Sequence, residues 1–433
     1  MKKKLKKEVS GDVSAKDGLA TKSAKKGIAK GGCLKIVSLF SGCGGLDLGA
    51  VGGFEFMGMK FPRNPAEVVF ANDIDPDAAN CYNANKLHRG ARCKLGDIRE
   101  ISMSEIPDFD ILLGGFPCQP FSNAGNRKGV QDDNGRGTLF EMCENVLKSK
   151  IEKAASGKCE SPKAFVFENV RGILSSKMPD GTTVPDEIKK RMESLGYAVS
   201  TNLVCASNFG VPQERYRVLI SGIRKDIVSS FDLIPHMVDV VKRRNLPSKE
   251  YGDRERLLIG WLLKSIPEDG ECEYWRYSKT TQTMVDNIGP CLAGKEDLKF
   301  FKDGFKIEDL PERFFEGRSW KNVPPELLSP RFRKIYDNPK KYHAPKFFRR
   351  FAIGEINGTL TASAQPENCG ITHPFENRRY SVREAARIQS FPDEFSFMDI
   401  PLQSRYKVIG NAVPPVLGWV VINALISVLK GNK

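Results

Sequence analysis

The chain has 433 residues, 40% hydrophobic and 28% charged, with a formal net charge of +14. That length leaves room for two or three domains, and the balance is that of an ordinary soluble globular protein. The 11 cysteines are scattered without a C-x-x-C pair, so they suggest neither a zinc knuckle nor a disulfide framework, and a reducing, intracellular compartment is expected.

Residues 1–32 hold ten Lys against Glu8, Asp12 and Asp17, with few apolar residues. A disordered basic tail is expected there. It is not a secretory signal, because no apolar segment follows the lysines. A second basic concentration, eight Lys or Arg against Asp337, spans 331–350, and the two together account for the whole net charge. Two basic patches on a neutral body point to a polyanionic partner, most simply nucleic acid. The plainer reading is that either run is only a solvated face.

The first ordered element predicted is a strand, Leu34 to Phe40, running into Ser41-Gly42-Cys43-Gly44-Gly45 and a helical pattern from Leu46. Strand, glycine turn and helix form the opening unit of a doubly wound sheet. The turn departs from G-x-G-x-x-G, since Asp47 occupies the last glycine position. A second strand, Val68 to Ala71, ends in Asn72-Asp73-Ile74-Asp75, placing an acid where ribose hydroxyls are bound in such sheets. A third element ends at Gly96-Asp97-Ile98. The fourth, Ile111 to Leu113, breaks at Gly114-Gly115 and leads through Phe116-Pro117 to Cys118.

A thiol beyond the carboxyl end of such a strand stands where these folds put their chemistry, although an isolated Pro-Cys is more often a small buried thiol at a turn. Further strands are predicted over Ala164 to Phe167, ending in Glu168-Asn169-Val170, and over Arg217 to Ile220, preceded by Gln213-Glu214-Arg215-Tyr216. In an extended segment Arg215 and Arg217 share a face. Singly these are surface or ion-pair residues; a thiol, a carboxyl and two guanidiniums at the strand ends of one sheet make a site. Late in the chain, Val416 to Leu429 follows Pro414-Pro415 and reads as a buried core helix, too short to span a bilayer.

Taken in order, these blocks resemble the DNA (cytosine-5) methyltransferases, especially the single-chain bacterial modification enzymes. Phe40-Ser41-Gly42-Cys43-Gly44-Gly45 is similar to their S-adenosylmethionine (SAM) loop, Asp73 and Asp97-Ile98 to the ribose and adenine contacts, and Pro117-Cys118-Gln119 to the nucleophile motif. Glu168-Asn169-Val170 resembles the block that holds the target base, and Gln213-x-Arg215-x-Arg217 the arginine block. Arg383-Glu384-Ala385-Ala386-Arg387 with Gln389-Ser390-Phe391-Pro392, and Gly410-Asn411-Ala412-Val413-Pro414-Pro415, resemble the late structural and final blocks. Ser38 stands where many members carry Asp, and Asp73 where Glu is frequent.

The resemblance implies an α/β fold: a SAM-dependent methyltransferase, Rossmann-like doubly wound sheet with a smaller, irregular target-recognition domain. Its boundaries would be a tail over 1–32, a catalytic domain over 33–240, a recognition domain over 241–375 and a returning segment over 376–433. The catalytic set would be Cys118, Glu168, Arg215 and Arg217, the thiolate attacking C6 of cytosine so that C5 becomes nucleophilic. The cofactor set would be Phe40, Ser41, Gly42, Gly44, Gly45, Leu46, Asp73, Ile74, Asp97, Ile98, Gly115, Pro117, Leu139, Asn411 and Val413, with no metal. Stacked cytosine must be flipped out to reach such a pocket. The loop 117–136, with Gly125, Gly129 and Gly135 for movement, is the expected closing lid, and Gln119, Ser122, Arg127, Lys128 and Arg136 its DNA contacts.

In the recognition interval the resemblance implies major-groove reading. Composition alone allows a lobe whose aromatics, Trp261, Trp275 and Trp320 among them, form core. Double-stranded DNA is the implied partner, for a monomer acting in the bacterial cytoplasm. Alternatives of the same fold are a tRNA cytosine-5 methyltransferase, whose Cys-Phe-Thr signature is not found here, and a non-catalytic DNA-binding regulator.

Overall fold

The computed structural model describes residues 32–85, 90–117, 139–339 and 348–431. Seven strands form its main sheet: β1 (Leu34–Leu39), β2 (Ala66–Asp73), β3 (Cys93–Leu95), β4 (Ile111–Gly114), β5 (Ala164–Val170), β6 (Tyr197–Cys205) and β7 (Tyr216–Arg224). Their order is β3-β2-β1-β4-β5-β7-β6, parallel throughout except for β7, which runs antiparallel to both of its neighbours. The winding reverses between β1 and β4, and in such sheets ligands bind outside the carboxyl ends of the strands at that reversal.

Side chains alternate across the sheet as the strand period demands. Ile36, Ile111, Leu113, Val166 and Leu219 enter one core; Val37, Leu39, Leu112, Phe165, Phe167 and Val218 enter the other. Helices α1 (Gly45–Val51) and α2 (Pro76–Ala84) cover the first face, α3 (Phe140–Ala155) and α4 (Val184–Ser194) the second, and α5 (Leu233–Arg244) returns to the first. Covering both faces explains why the central strands read as apolar runs rather than as alternations.

Beyond α5 the architecture changes. Helices α6 (Ile259–Leu263), α7 (Lys279–Ile288) and α8 (Pro330–Asp337), with five short 3₁₀ turns between α7 and α8, pack around two small cores. Trp261 anchors one, its ring stacked 5.9 Å from Phe305; Trp320 anchors the other beside Phe332 and Phe348. These aromatics are core. Arg350, in the basic stretch where contact with nucleic acid is one reading, is only 1% exposed and donates to Asn377 Oδ1 at 2.8 Å.

The chain then returns through α9 (Val382–Ile388), α10 (Leu402–Asn411) and α11 (Pro415–Leu429). Helix α11 is apolar all round and buries 12 of its 15 residues, the pattern of a core helix. It meets α1 at Gly49, where any Cβ would stand 2.4 Å from the Pro415 carbonyl oxygen. By length and composition alone the run Leu402–Leu429 could cross a membrane, but 83% of its most apolar window is buried inside this fold.

Candidate active site

The tips of β1, β2, β4, β5 and β7 and the segment 407–413 enclose a cavity of about 490 Å³. Of the residues expected to hold a cofactor, Phe40, Ser41, Gly42, Leu46, Asp73, Ile74, Gly115, Pro117, Asn411 and Val413 line it. The glycine turn earns its composition from geometry. Gly42 and Gly44 have φ of 57° and 88°, and a Cβ on Gly45 would lie 2.3 Å from the Val413 carbonyl oxygen. Phe40 is also held at φ 58°, a strained position for a residue with a side chain.

Asp73 closes the turn against β2. Its carboxylate accepts from Gly42 N at 2.7 Å and Asp75 N at 2.9 Å, and burial raises its pKa above the usual carboxylate range. Ile74 beside it is 61% exposed, an apolar face presented at the rim.

Five expected contacts do not line the cavity: Gly44 and Gly45, which shape the turn behind it, and Asp97, Ile98 and Leu139. Asp97 caps a 3₁₀ turn and pairs with Arg99 at 2.5 Å, which holds its carboxyl below the ordinary range. Ile98 and Leu139 are packed in the second core. The sequence reading also missed residues that do line it: Ser38, Asp47, Asp75 and Lys407. Asp47 had registered only as a departure from a glycine pattern.

At the other end the walls are Gly115, Phe116, Pro117, Glu168, Val170 and Arg217. Antiparallel pairing sets Glu168 opposite Leu219 and Val170 opposite Arg217, so acid and guanidinium converge across β5 and β7. Arg217 Nε lies 2.6 Å from Glu168 Oε1, both side chains being about nine-tenths buried. Oε1 nonetheless has no aligned hydrogen bond among the described residues. The adjacent Asn169 donates Nδ2 to the Phe116 carbonyl at 3.3 Å, tying β5 to the chain two residues before Cys118. Cys118 itself, with Gln119, Ser122, Arg127, Lys128 and Arg136, lies outside the described residues.

Arg215 does something other than expected. It does not share the cavity with Arg217, because β7 begins at Tyr216 and residue 215 sits at the break after a two-residue ribbon, Gln213–Glu214 against Asn357–Gly358. Its guanidinium is fully buried and donates to the carbonyls of Leu360 at 2.8 Å, Gly410 at 2.7 Å and Ala412 at 3.1 Å. Gln213 reaches Gln389 at 2.5 Å, and Gln389 in turn donates to the carbonyls of Ile409 and Ala412. The arginine block and the late block therefore interlock, and what they hold is the cavity wall at 410–413.

Sheet order, glycine turn and strand-tip acids define an α/β methyltransferase architecture, with an acid–arginine pair at the far end of the cavity. The sequence pattern of the C-5 cytosine-specific DNA methylases matches residues 34–427, and the chain belongs to that family. It is 31% identical to the type II methyltransferase M.FnuDI of Fusobacterium nucleatum over 402 residues, covering 92% of this chain and 96% of that one. It is 35% identical to M.NgoBV of Neisseria gonorrhoeae, covering 88% and 96%. Among solved structures, a prophage-encoded DNA modification methyltransferase from E. coli superposes with a TM-score of 0.54 at 21% identity, covering 92% of this chain and 99% of that one. The S. pombe Dnmt2 methyltransferase gives 0.52 at 18%, covering 92% and 98%. The protein is thus a DNA (cytosine-5) methyltransferase of the restriction-modification type.

Proposed function

We propose that the protein transfers a methyl group from SAM to C5 of a flipped-out cytosine in a specific duplex DNA sequence, through a covalent Cys118–C6 intermediate. The biological role would be protection of host DNA from a cognate restriction enzyme, performed by a monomer in the bacterial cytoplasm. The observation that carries this reading is one cavity with the Asp73 and glycine-turn pocket at one end and the Glu168–Arg217 pair at the other.

The residues present fit the cofactor. Asp73 has acceptor capacity for a ribose diol, Ile74 and Phe40 offer apolar surface for a purine, and the volume lies within the usual range for cofactor sites. When bound, SAM supplies an electrophilic methyl group. The protein's share is the activation of cytosine. Thiolate addition at C6 pushes electron density toward N3 and O2. Glu168 hydrogen-bonds or protonates N3 and accepts from the exocyclic amine, and Arg217 donates to O2, so the charge raised by the attack is stabilised as it forms. C5 then takes the methyl group, loses its proton, and the Cys118 sulfur leaves as thiolate. Arg215 acts at a distance, by holding 410–413.

Residues 241–375 are proposed as the recognition region, supported by the separate small cores and by the exposed Arg331, Arg333 and Lys334 on α8, suited to phosphate. The test is transfer of tritiated methyl from SAM to duplex DNA and, separately, to tRNA. Acid-stable label in DNA that disappears in Cys118→Ser, with DNA binding retained, is the expected result. Label in tRNA alone, or unchanged turnover in Cys118→Ser, overturns it.

A further inference from the structure

Asp47 is the most deeply buried acid at the cavity, 0% exposed. Its oxygens accept from two neutral hydroxyls, Ser38 Oγ at 2.7 Å and Tyr82 Oη at 2.9 Å. Ser41 Oγ, on the cavity wall, lies 3.1 Å from Ser38 Oγ, so a chain of hydroxyls leads from the ligand space to the carboxylate. Among the described residues Asp47 forms no ion pair, whereas Glu168 in the same cavity has Arg217. A buried carboxylate without a cation is expensive to keep and is ordinarily paired or replaced by an apolar residue.

The missing cation has a source if the proposed cofactor reading holds, on which this inference rests. The methyl donor carries two positive centres. The sulfonium must face the base, toward Glu168 and Arg217. The amino-acid tail is then left for the floor of the cavity, and Ser38 forms that floor because its strand partners, Ala71 and Leu113, lie two residues short of the tip of β2 and one short of the tip of β4. We propose that Asp47, presented through Ser38, is the countercharge for the α-ammonium group of the methyl donor. The hydroxyl of Ser38 carries to the cavity a charge set one side chain behind it. Tyr82, from α2, holds the carboxylate in place.

The experiment is calorimetric titration of the full-length protein with three ligands: SAM, S-adenosylhomocysteine, and an S-adenosylhomocysteine analogue lacking only the amino group. Asp47→Asn should weaken the two ammonium-bearing ligands about tenfold or more and the deamino analogue by no more than about twofold. The melting temperature of the ligand-free variant should be unchanged or raised, since the substitution strands no protein cation. Ser38→Ala, which keeps the carboxylate and removes its route, should show the same selectivity at smaller size, and it serves alone if Asp47→Asn does not fold. Equal weakening of all three ligands would make Asp47 scaffolding and overturn the proposal. A loss confined to SAM would assign the countercharge to the sulfonium and overturn it as well. Wild-type protein that binds none of the three would overturn the cofactor reading itself, and this inference with it.

Discussion

The two ends of the cavity handle buried negative charge in opposite ways. At the base end Glu168 is met by a guanidinium of the protein, 2.6 Å away across two paired strands. At the floor of the cofactor end Asp47 has only hydroxyls, and burial, against their lowering effect, pushes its pKa up to about 6. The difference follows the ligands each end is proposed to take. A cytosine is neutral and needs an acid and a cation already in place; a sulfonium cofactor brings its own positive charge. An ion pair inside the protein stands ready, whereas an unpaired carboxylate costs stability until its ligand arrives.

Breaking the paired end should have the largest consequence. Arg217→Ala leaves Glu168 buried and unpaired, so methyl transfer should fall by about 1000-fold or more while the fold loses about 3 to 5 kcal/mol. Glu168→Gln keeps the shape and an oxygen that can accept from Arg217, and should lower kcat by about 100-fold or more with a smaller loss of stability than Arg217→Ala, since the guanidinium is left without its counter-charge. Single-turnover kinetics beside thermal denaturation separate the two, and an unchanged kcat in Glu168→Gln would remove the acid from the mechanism.

Arg215→Ala comes next. Three buried carbonyls would lose their donor, for a loss of about 4 kcal/mol by denaturant titration, with S-adenosylhomocysteine binding weakened because 410–413 lines the cavity. Lys offers one point charge in place of a planar fork and should not restore stability. If Arg215 instead touched the base, Arg215→Ala would lower kcat and spare cofactor affinity.

That contrast also marks how far the sequence could be read. The strand ends that carry Asp73, Gly114 and Glu168 were legible because an apolar run stopped by a polar or glycine signal is local information, and the doubly wound sheet follows from their succession. The roles of Arg215 and Arg217 were not. Alternation puts them on one face only if the strand is continuous, and a two-residue ribbon with Asn357–Gly358 interrupts it. Asp97 and Ile98 match a family block in letters, yet a turn and the second core claim their side chains. Asp47 was invisible as an acid at the cavity because its partners, Ser38 and Tyr82, lie 9 and 35 residues away and meet it only when α1 and α2 pack on the sheet. The interval 241–375 could be read only from composition, because its helices are short and its cores are small aromatic clusters.

The unpaired end yields a pH signature. The carboxyl of Asp47 rises from 3.8 to about 6, so between those values the folded protein keeps a proton that the unfolded chain has released. Stability of the ligand-free protein should therefore fall as pH climbs from about 4 to about 6, by up to about 3 kcal/mol, and level off above. The groups facing the carboxyl are Ser38 from β1, Tyr82 from α2 and the Cys93 thiol from β3, while Lys407 of α10 is committed to Asp75. None supplies a free cation to cancel the effect. Asp47→Asn should flatten this part of the profile, as should saturating S-adenosylhomocysteine in the wild type. A slope that persists in Asp47→Asn belongs to another group.

The smallest effect is expected where a carboxylate at the cofactor end does have a protein cation. Lys407 Nζ lies 2.6 Å from Asp75 Oδ2 at the cavity rim, with side chains 48% and 20% exposed, and Ser404 of the same helix donates to Asp77 at 2.5 Å. Both contacts join α10 to the start of α2. Water screens an ion pair this exposed, so Lys407→Ala should cost less than about 1 kcal/mol and change S-adenosylhomocysteine affinity by no more than about threefold. Raising the salt concentration should erase the difference between variant and wild type, while leaving the effect of Asp47→Asn in place, since buried charges are screened far less. If Lys407→Ala instead matched Asp47→Asn in size and in salt resistance, the rim pair would be part of the charge balance of the floor, and Asp75 and Asp47 could no longer be treated as independent.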